Sequence, residues 1–214
     1  MATNSYPARD ERVALCDLFV EVGPDAPTLC GEWTTRDLAA HLVMRERRPD
    51  GAIGIVVPKA AGYADKVQHG IAERDWVELV DRVRSGPPVW SPTRIAKVDK
   101  VVNTVEFFVH HEDVRRGVDG WEPRDLDHEL DDALYSSLSK FAKRFVKSSP
   151  VGIVFESTDG RPPIVAKDAE PSVTVRGAVG ELILFAFGRQ AHCNVELFGD
   201  DASIEAVTTA SFGM

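Results

Sequence analysis

The sequence predicts an α+β protein, with a helical N-terminal bundle over residues 1–148 and a small α/β domain over residues 149–214. Apolar residues recur at helical spacing through most of the first two thirds of the chain. From Ser148 onward, short β-branched runs bounded by Gly, Pro or Asp replace that spacing. The composition, 43% hydrophobic and 28% charged over 214 residues, is that of a globular protein large enough to bury a core.

Caps and breakers delimit the helices of the N-terminal bundle. Thr34 and Asp37 have the spacing of a capping box, in which each side chain accepts a hydrogen bond from the other residue's backbone N–H. Gly117 ends a long helix. These signals predict helices over residues 5–22, 34–46, 75–83, 92–116 and 126–146, with one or two short helices between 49 and 75.

The C-terminal domain mixes strands with helices. Short β-branched runs predict strands over residues 153–157, 163–166, 172–175 and 192–198. Apolar residues at helical spacing predict helices over residues 178–187 and 202–209.

Charge and cysteine content exclude several classes of protein. The net charge of −9, from 25 basic and 34 acidic residues, argues against a nucleic-acid partner, which requires a basic face. No apolar leader precedes the first helix, and no apolar run approaches the roughly 20 residues of a membrane span. The three cysteines are too few and too widely spaced for a disulfide framework. We therefore expect a cytoplasmic protein without a membrane partner, and the sequence leaves its oligomeric state open.

The spacing of Glu106 and His110 indicates a metal site on the long helix. At 100° per residue these side chains lie about 40° apart, one turn from each other on the same face. Asp113 falls about 20° from Glu106, whereas His111 lies about 140° away and cannot share the site. An oxygen and a nitrogen one turn apart can both reach a single ion at about 2.0–2.2 Å.

His41 is the candidate third ligand. It lies within an apolar helical segment, Leu38 to Met44, where its ring nitrogens need a polar partner. Two histidines and one carboxylate with an open fourth position are typical of catalytic zinc, although nickel, iron and manganese accept the same donors. On spacing alone, hydrogen-bonded core histidines and a solvated Glu/His face remain the alternative. We interpret Cys30, nearby in sequence, as a small buried apolar residue.

Two segments carry a resemblance to a known family. The segment 29–42, with Trp33-Thr34 and His41, and the later Glu106-x-x-x-His110-x-x-Asp113 resemble the mycothiol-dependent maleylpyruvate isomerase family. That family belongs to the DinB/YfiT-like group of metal-binding bundles. Residues 174–200 are similar to its C-terminal domain, whereas residues 51–90 match nothing in the family.

The resemblance implies a fold and a set of ligands. It implies an up-down four-helix bundle followed by a sterol-carrier-like α/β domain. It also implies one divalent ion, Zn²⁺ or another metal, held by His41, Glu106 and His110. A low-molecular-weight thiol, mycothiol or a similar molecule, is the implied cosubstrate.

The resemblance also implies an activity. A metal-activated thiol would add to a small electrophile, which makes the chain a metal-dependent thiol S-transferase or isomerase. We expect Asp113 to orient His110 or the thiol, with an exposed charge as the alternative. We expect Arg189 to bind a carboxylate of the electrophile, with capping of the carbonyls at a helix C-terminus as the alternative.

Two other functions stay open on the sequence. One is a non-catalytic metal-binding module in stress response or regulation, which a fourth protein ligand or a sealed site would favour. The other is a carrier of lipids or apolar ligands built on the C-terminal domain. That carrier would need an apolar tunnel under residues 178–198, and the short strands leave little room for one.

Overall fold

The computed structural model describes residues 6–51, 61–88 and 103–213, which belong to two compact units, residues 1–121 and 122–214. Helices make up the first unit, and helices with a four-stranded sheet make up the second. The predicted α+β class is therefore confirmed. The described helices of the first unit are α1 (Pro7–Val22), α2 (Thr35–Arg47), α3 (Ala61–Ala72), α4 (Trp76–Arg84) and α5 (Thr104–Arg115).

The first unit is built around α1 and α2. Helix α1 packs against α4 and α5, and α2 packs against α3 and α4. The side chains in the centre are fully buried and apolar, and they include Leu15, Phe19, Leu38, Leu42 and Phe107. The helix predicted over residues 92–116 is described only from its second half, as α5. Its first half lies outside the described residues.

Local signals set the ends of these helices. The predicted capping box opens α2, because the backbone N–H and the hydroxyl of Thr34 both donate to Asp37 Oδ2, at 3.0 and 2.8 Å. Pro7 occupies the first turn of α1, where its missing N–H costs nothing. Asp75 caps α4 by accepting from the backbone N–H groups of Val77 and Glu78.

A buried ion pair joins α1 to α2. Arg12 donates two hydrogen bonds to the Glu46 carboxylate, at 2.5 and 2.7 Å, and one to the Val83 carbonyl oxygen at 2.9 Å. The Arg12 guanidinium also lies 4.1 Å from the centre of the Phe107 ring. Both charges are thus removed from water and fully compensated, which makes the pair sensitive to loss of either partner.

The second unit has a mixed sheet. Its strands are β1 (Gly152–Ser157), β2 (Ile164–Lys167), β3 (Ser172–Gly177) and β4 (Val195–Phe198), in the order β2-β1-β3-β4. Strand β1 is antiparallel to β2 and parallel to β3, and β3 is antiparallel to β4. The helices are α6 (His128–Phe145), α7 (Val179–Ala186) and α8 (Asp201–Thr209), with a 3₁₀ turn at Gln190–His192.

The boundary between the compact units lies at residues 121–122, whereas the sequence predicted a division at 148–149. The difference is α6, which packs against α7 and β2 of the second unit. The Phe145 and Phe187 rings are 4.5 Å apart, and the Tyr135 hydroxyl donates to the Pro162 carbonyl oxygen at 2.8 Å. The apolar face of α6 therefore packs against the second unit. Residues 148–150 form a turn within that unit.

The cysteines and the hydropathy of the helices can be assessed within the ranges given above. None of the three cysteines, Cys16, Cys30 and Cys193, forms a disulfide. No helix in the described ranges has both the length and the apolar character of a membrane span.

Candidate metal centre

The structure brings the three predicted ligands together. His41 lies on α2, and Glu106 and His110 lie one turn apart on α5. The Nε2 atom of His41 is 3.6 Å from Glu106 Oε1, and the Nε2 atom of His110 is 3.3 Å from the same oxygen. The two imidazole rings are 5.5 Å apart and nearly perpendicular, at 71°. Both Nε2 atoms therefore face the same carboxylate oxygen, and one ligand atom from each of the three residues lies within 4.8 Å of the other two.

The spacing of these atoms fits a single divalent ion. Ligands bound tetrahedrally at about 2.0–2.1 Å lie about 3.3–3.4 Å from one another, close to the observed 3.3 and 3.6 Å. Among the described residues, no fourth His, Cys, Asp or Glu joins this trio. The side chains of His41, His110 and Glu106 are 10%, 12% and 15% exposed. Two imidazole nitrogens and one carboxylate oxygen are a donor set that zinc accepts in proteins.

Asp113 contacts Nδ1 of His110, the ring nitrogen that does not face Glu106. Its fully buried carboxylate lies with Oδ2 2.9 Å from His110 Nδ1. Because a carboxylate only accepts hydrogen bonds, Nδ1 carries a proton, and Nε2 is the ring nitrogen that can face a metal. His111, by contrast, points away from the site, with Nδ1 3.0 Å from Glu11 Oε2, as its angular position on the helix predicted.

Cys30 takes part in the same hydrogen-bond network. Its Sγ atom donates to Asp113 Oδ2 at 3.1 Å and lies 3.8 Å from His110 Nδ1. The sequence predicted that Cys30 is a small buried apolar residue, and it did not indicate this polar contact. The contact depends on a loop between α1 and α2, which the sequence pattern does not place in space.

A close backbone approach holds that loop against α5. The Leu29 N–H donates to the Asp113 carbonyl oxygen at 3.0 Å. A Cβ atom on Gly117, just after α5, would lie only 2.4 Å from the Pro27 carbonyl oxygen. The loop can therefore approach α5 only because position 117 has no side chain.

Arg45 is a further residue of the site, and the sequence pattern did not indicate it. It lies on α2 one turn after His41, and its Nε atom is 3.2 Å from Glu106 Oε1. Its Nη1 atom donates to Asn103 Oδ1 at 2.7 Å, and Asn103 is fully buried. The four-residue spacing from His41 could have placed Arg45 on the same face, but arginines at such positions usually face solvent.

The ionisable groups of the trio perturb one another. Burial lowers the pKa of His41. Burial alone would raise the pKa of Glu106, but the charge of Arg45 and the hydrogen bond from His110 outweigh it and hold this pKa well below its usual range. Burial would also lower the pKa of His110, but its hydrogen bonds, foremost to Asp113, raise this pKa well above its usual value. Glu106 is therefore a carboxylate at neutral pH, ready to bind a cation.

Arg189 lies in the second unit, in the segment after α7. Its guanidinium donates to the Phe187 carbonyl oxygen at 2.5 Å. This contact corresponds to the alternative given for Arg189 on the sequence, in which it caps the carbonyls at a helix C-terminus. Binding of a substrate carboxylate by Arg189 stays a prediction, as does the catalytic role of Asp113.

Comparisons with known proteins identify the fold. No protein-family model matches the sequence, and no curated protein is significantly similar to it. The chain is similar to the crystal structure of the mycothiol-dependent maleylpyruvate isomerase, with 14% identity, a TM-score of 0.60 and 91% of each chain covered. It is also similar to a histidine-to-alanine mutant of that isomerase, with 13% identity, a TM-score of 0.62 and the same coverage. The chain therefore has the fold of the mycothiol-dependent maleylpyruvate isomerase.

Proposed function

We propose that this protein is a metal-dependent enzyme that uses a low-molecular-weight thiol to isomerise, or to transfer the thiol to, a small electrophile. The observation that carries the proposal is the convergence of two imidazole nitrogens and one carboxylate oxygen in the first unit. The shared fold supports it, because the similar structures are those of a mycothiol-dependent isomerase. Zinc is the first candidate for the metal, and mycothiol or a similar molecule for the thiol.

His41, Glu106 and His110 would hold the ion, and each has a distinct part. Glu106 supplies the negative charge, and the histidines supply neutral nitrogen donors. Asp113 would accept a hydrogen bond from Nδ1–H of His110, so that Nε2 is the nitrogen that binds the ion. When bound, a zinc ion deprotonates a coordinated thiol, whose ordinary pKa near 8.5 leaves it mostly protonated at neutral pH.

The remaining requirements concern the electrophile. Adding a thiolate to an unsaturated bond and expelling it again allows rotation about that bond, which is isomerisation. If the thiol stays bonded to the electrophile and this adduct is released, the reaction is thiol transfer. Arg189 is proposed to bind a carboxylate of the electrophile. A cytoplasmic location is part of the proposal, because small thiols are kept reduced there.

Metal content tests the proposal first. Purified wild-type protein, supplied with zinc and dialysed, is expected to retain about one equivalent by elemental mass spectrometry. Glu106→Ala and His110→Ala should each lose it. The control is His111→Asn, which changes the neighbouring histidine outside the trio and should retain the metal. Negligible zinc in folded wild-type protein, checked by circular dichroism, would refute the metal centre.

Activity is the second test. Zinc-loaded protein is mixed with mycothiol and maleylpyruvate, and then with other thiols and unsaturated acids. Isomerisation or adduct formation that Glu106→Ala abolishes is the expected result. Bound zinc with no turnover across the panel would instead favour the non-catalytic metal-binding module.

A further inference from the structure

Arg45 places a fixed positive charge at the candidate metal centre. Its Nε atom lies 3.2 Å from Glu106 Oε1, the oxygen that also faces both histidine Nε2 atoms. The hydrogen bond to buried Asn103 holds the other end of the guanidinium. The Arg45 side chain is only 13% exposed, so solvent screens this charge weakly.

The charge is close enough to act on a bound ion. An Oε1–metal bond of about 2.1 Å, together with the 3.2 Å contact, limits the distance from Arg45 Nε to the ion to about 5.3 Å. Arginine remains protonated under all conditions relevant here. A cation at this distance repels a divalent ion and attracts any anion bound to that ion.

The formal charges at the centre show what this means for the external ligand. The charges of a divalent cation, the Glu106 and Asp113 carboxylates and Arg45 leave one net positive charge, since the histidines are neutral. An anionic external ligand brings that net charge to zero. Without Arg45, the same anion would leave one net negative charge in a partly buried site, which is unfavourable.

We propose that Arg45 makes this metal centre selective for anionic external ligands, at the cost of a weaker hold on the metal itself. The inference rests on the proposed metal centre and defines its ligand class: a thiolate or another monoanion in preference to a neutral donor. Arg45 is thus a specificity-determining residue of the centre.

The electrostatic role and a merely structural role predict opposite signs. If Arg45 only holds the Glu106 carboxylate in position through its contacts with Glu106 and Asn103, removing Arg45 lets that carboxylate move. The affinities for metal and for anion then both fall. If Arg45 acts by charge, Arg45→Gln strengthens metal binding while it weakens anion binding. A neutral external ligand should be unaffected in the electrostatic case.

The test uses the full chain and two readouts that do not depend on activity. Zinc affinity is measured by competition with a chromophoric chelator. External-ligand affinity is measured by titrating the cobalt-substituted protein with azide, an anion, and with imidazole, a neutral donor, through the visible absorption of cobalt. The variants are Arg45→Gln, Arg45→Lys, which keeps the charge, and the control Arg48→Gln, which removes an exposed arginine at the end of α2.

In Arg45→Gln we expect zinc affinity to rise about tenfold and azide affinity to fall at least tenfold, with imidazole affinity within threefold of wild type. Arg45→Lys and Arg48→Gln should bind azide within threefold of wild type. Parallel loss of zinc and azide affinity in Arg45→Gln, or no change in azide affinity, would overturn the inference and leave the metal centre intact. Wild-type protein that binds neither zinc nor cobalt would overturn both proposals.

Discussion

Replacing Asp113 with asparagine is expected to weaken zinc binding about ten- to a hundredfold. Asp113 Oδ2 lies 2.9 Å from His110 Nδ1, and the Asp113 side chain is fully buried. The asparagine has nearly the same shape, so the core around it is retained. It carries no negative charge, however, and its amide group can present either an acceptor or a donor to His110.

The magnitude follows from the character of this contact. A hydrogen bond to a charged group contributes about 1.5–3 kcal/mol, and about 1.4 kcal/mol corresponds to a tenfold change in affinity. Complete loss of the charged contact would therefore cost about ten- to a hundred-and-fiftyfold in affinity. The amide oxygen can still accept the Nδ1–H bond, which removes the upper end of that range.

Chelator competition at neutral pH measures the effect, with Asp50→Asn as the control because Asp50 is an exposed carboxylate outside the centre. Circular dichroism and thermal unfolding establish that both variants are folded. If folded Asp113→Asn protein bound zinc within twofold of wild type, Asp113 would not support His110 as a ligand, and its assignment to the site would be wrong.

Further predictions concern the fold of the first unit. Gly117→Ala should lower the free energy of unfolding by about 1–3 kcal/mol, because its Cβ would lie 2.4 Å from a carbonyl oxygen. Gly70→Ala, in an open position of α3, should raise this free energy by about 0.5–1 kcal/mol in the same denaturant titration. Glu46→Gln should cost about 3 kcal/mol by leaving the buried charge of Arg12 uncompensated, and urea unfolding beside the wild type measures it. Burial raises the pKa of Cys16 from 9.0 to about 12, so this thiol should react with Ellman's reagent at pH 8 only after unfolding, unlike the two partly exposed cysteines. Because the folded-state value is the higher one, the contribution of Cys16 to stability is present below pH 9 and is lost as the pH rises towards 12, by about 1.4 kcal/mol per pH unit.

Local patterns in the sequence were sufficient to predict most helices and the candidate ligands. The spacing of Glu106 and His110 places both side chains on one face of a helix whatever surrounds it. His41 was identifiable because a polar ring inside an apolar segment requires a partner. The start of α2 was predictable because a capping box is a contact between residues only three apart.

Features that depend on contacts between distant segments were not predictable in this way. The amphipathic pattern of α6 shows that it buries a face, but the pattern does not identify the sheet as its partner. The contact of Cys30 with Asp113 requires the loop geometry that Gly117 permits. Arg45 has the sequence character of a surface residue, and only the packing of α2 against its neighbours brings its guanidinium to Glu106.

The separation of the candidate ligands along the chain has a consequence for abundance in the cell. His41 and Glu106 are 65 residues apart (106 minus 41), so an ion bound to both would cross-link α2 to α5 much as a disulfide would. Such a cross-link depends on mass action: at a free metal concentration 100 times its dissociation constant, the folded protein gains about 2.7 kcal/mol. The steady-state level of this protein would then follow the supply of metal, since proteolysis acts on the unfolded fraction.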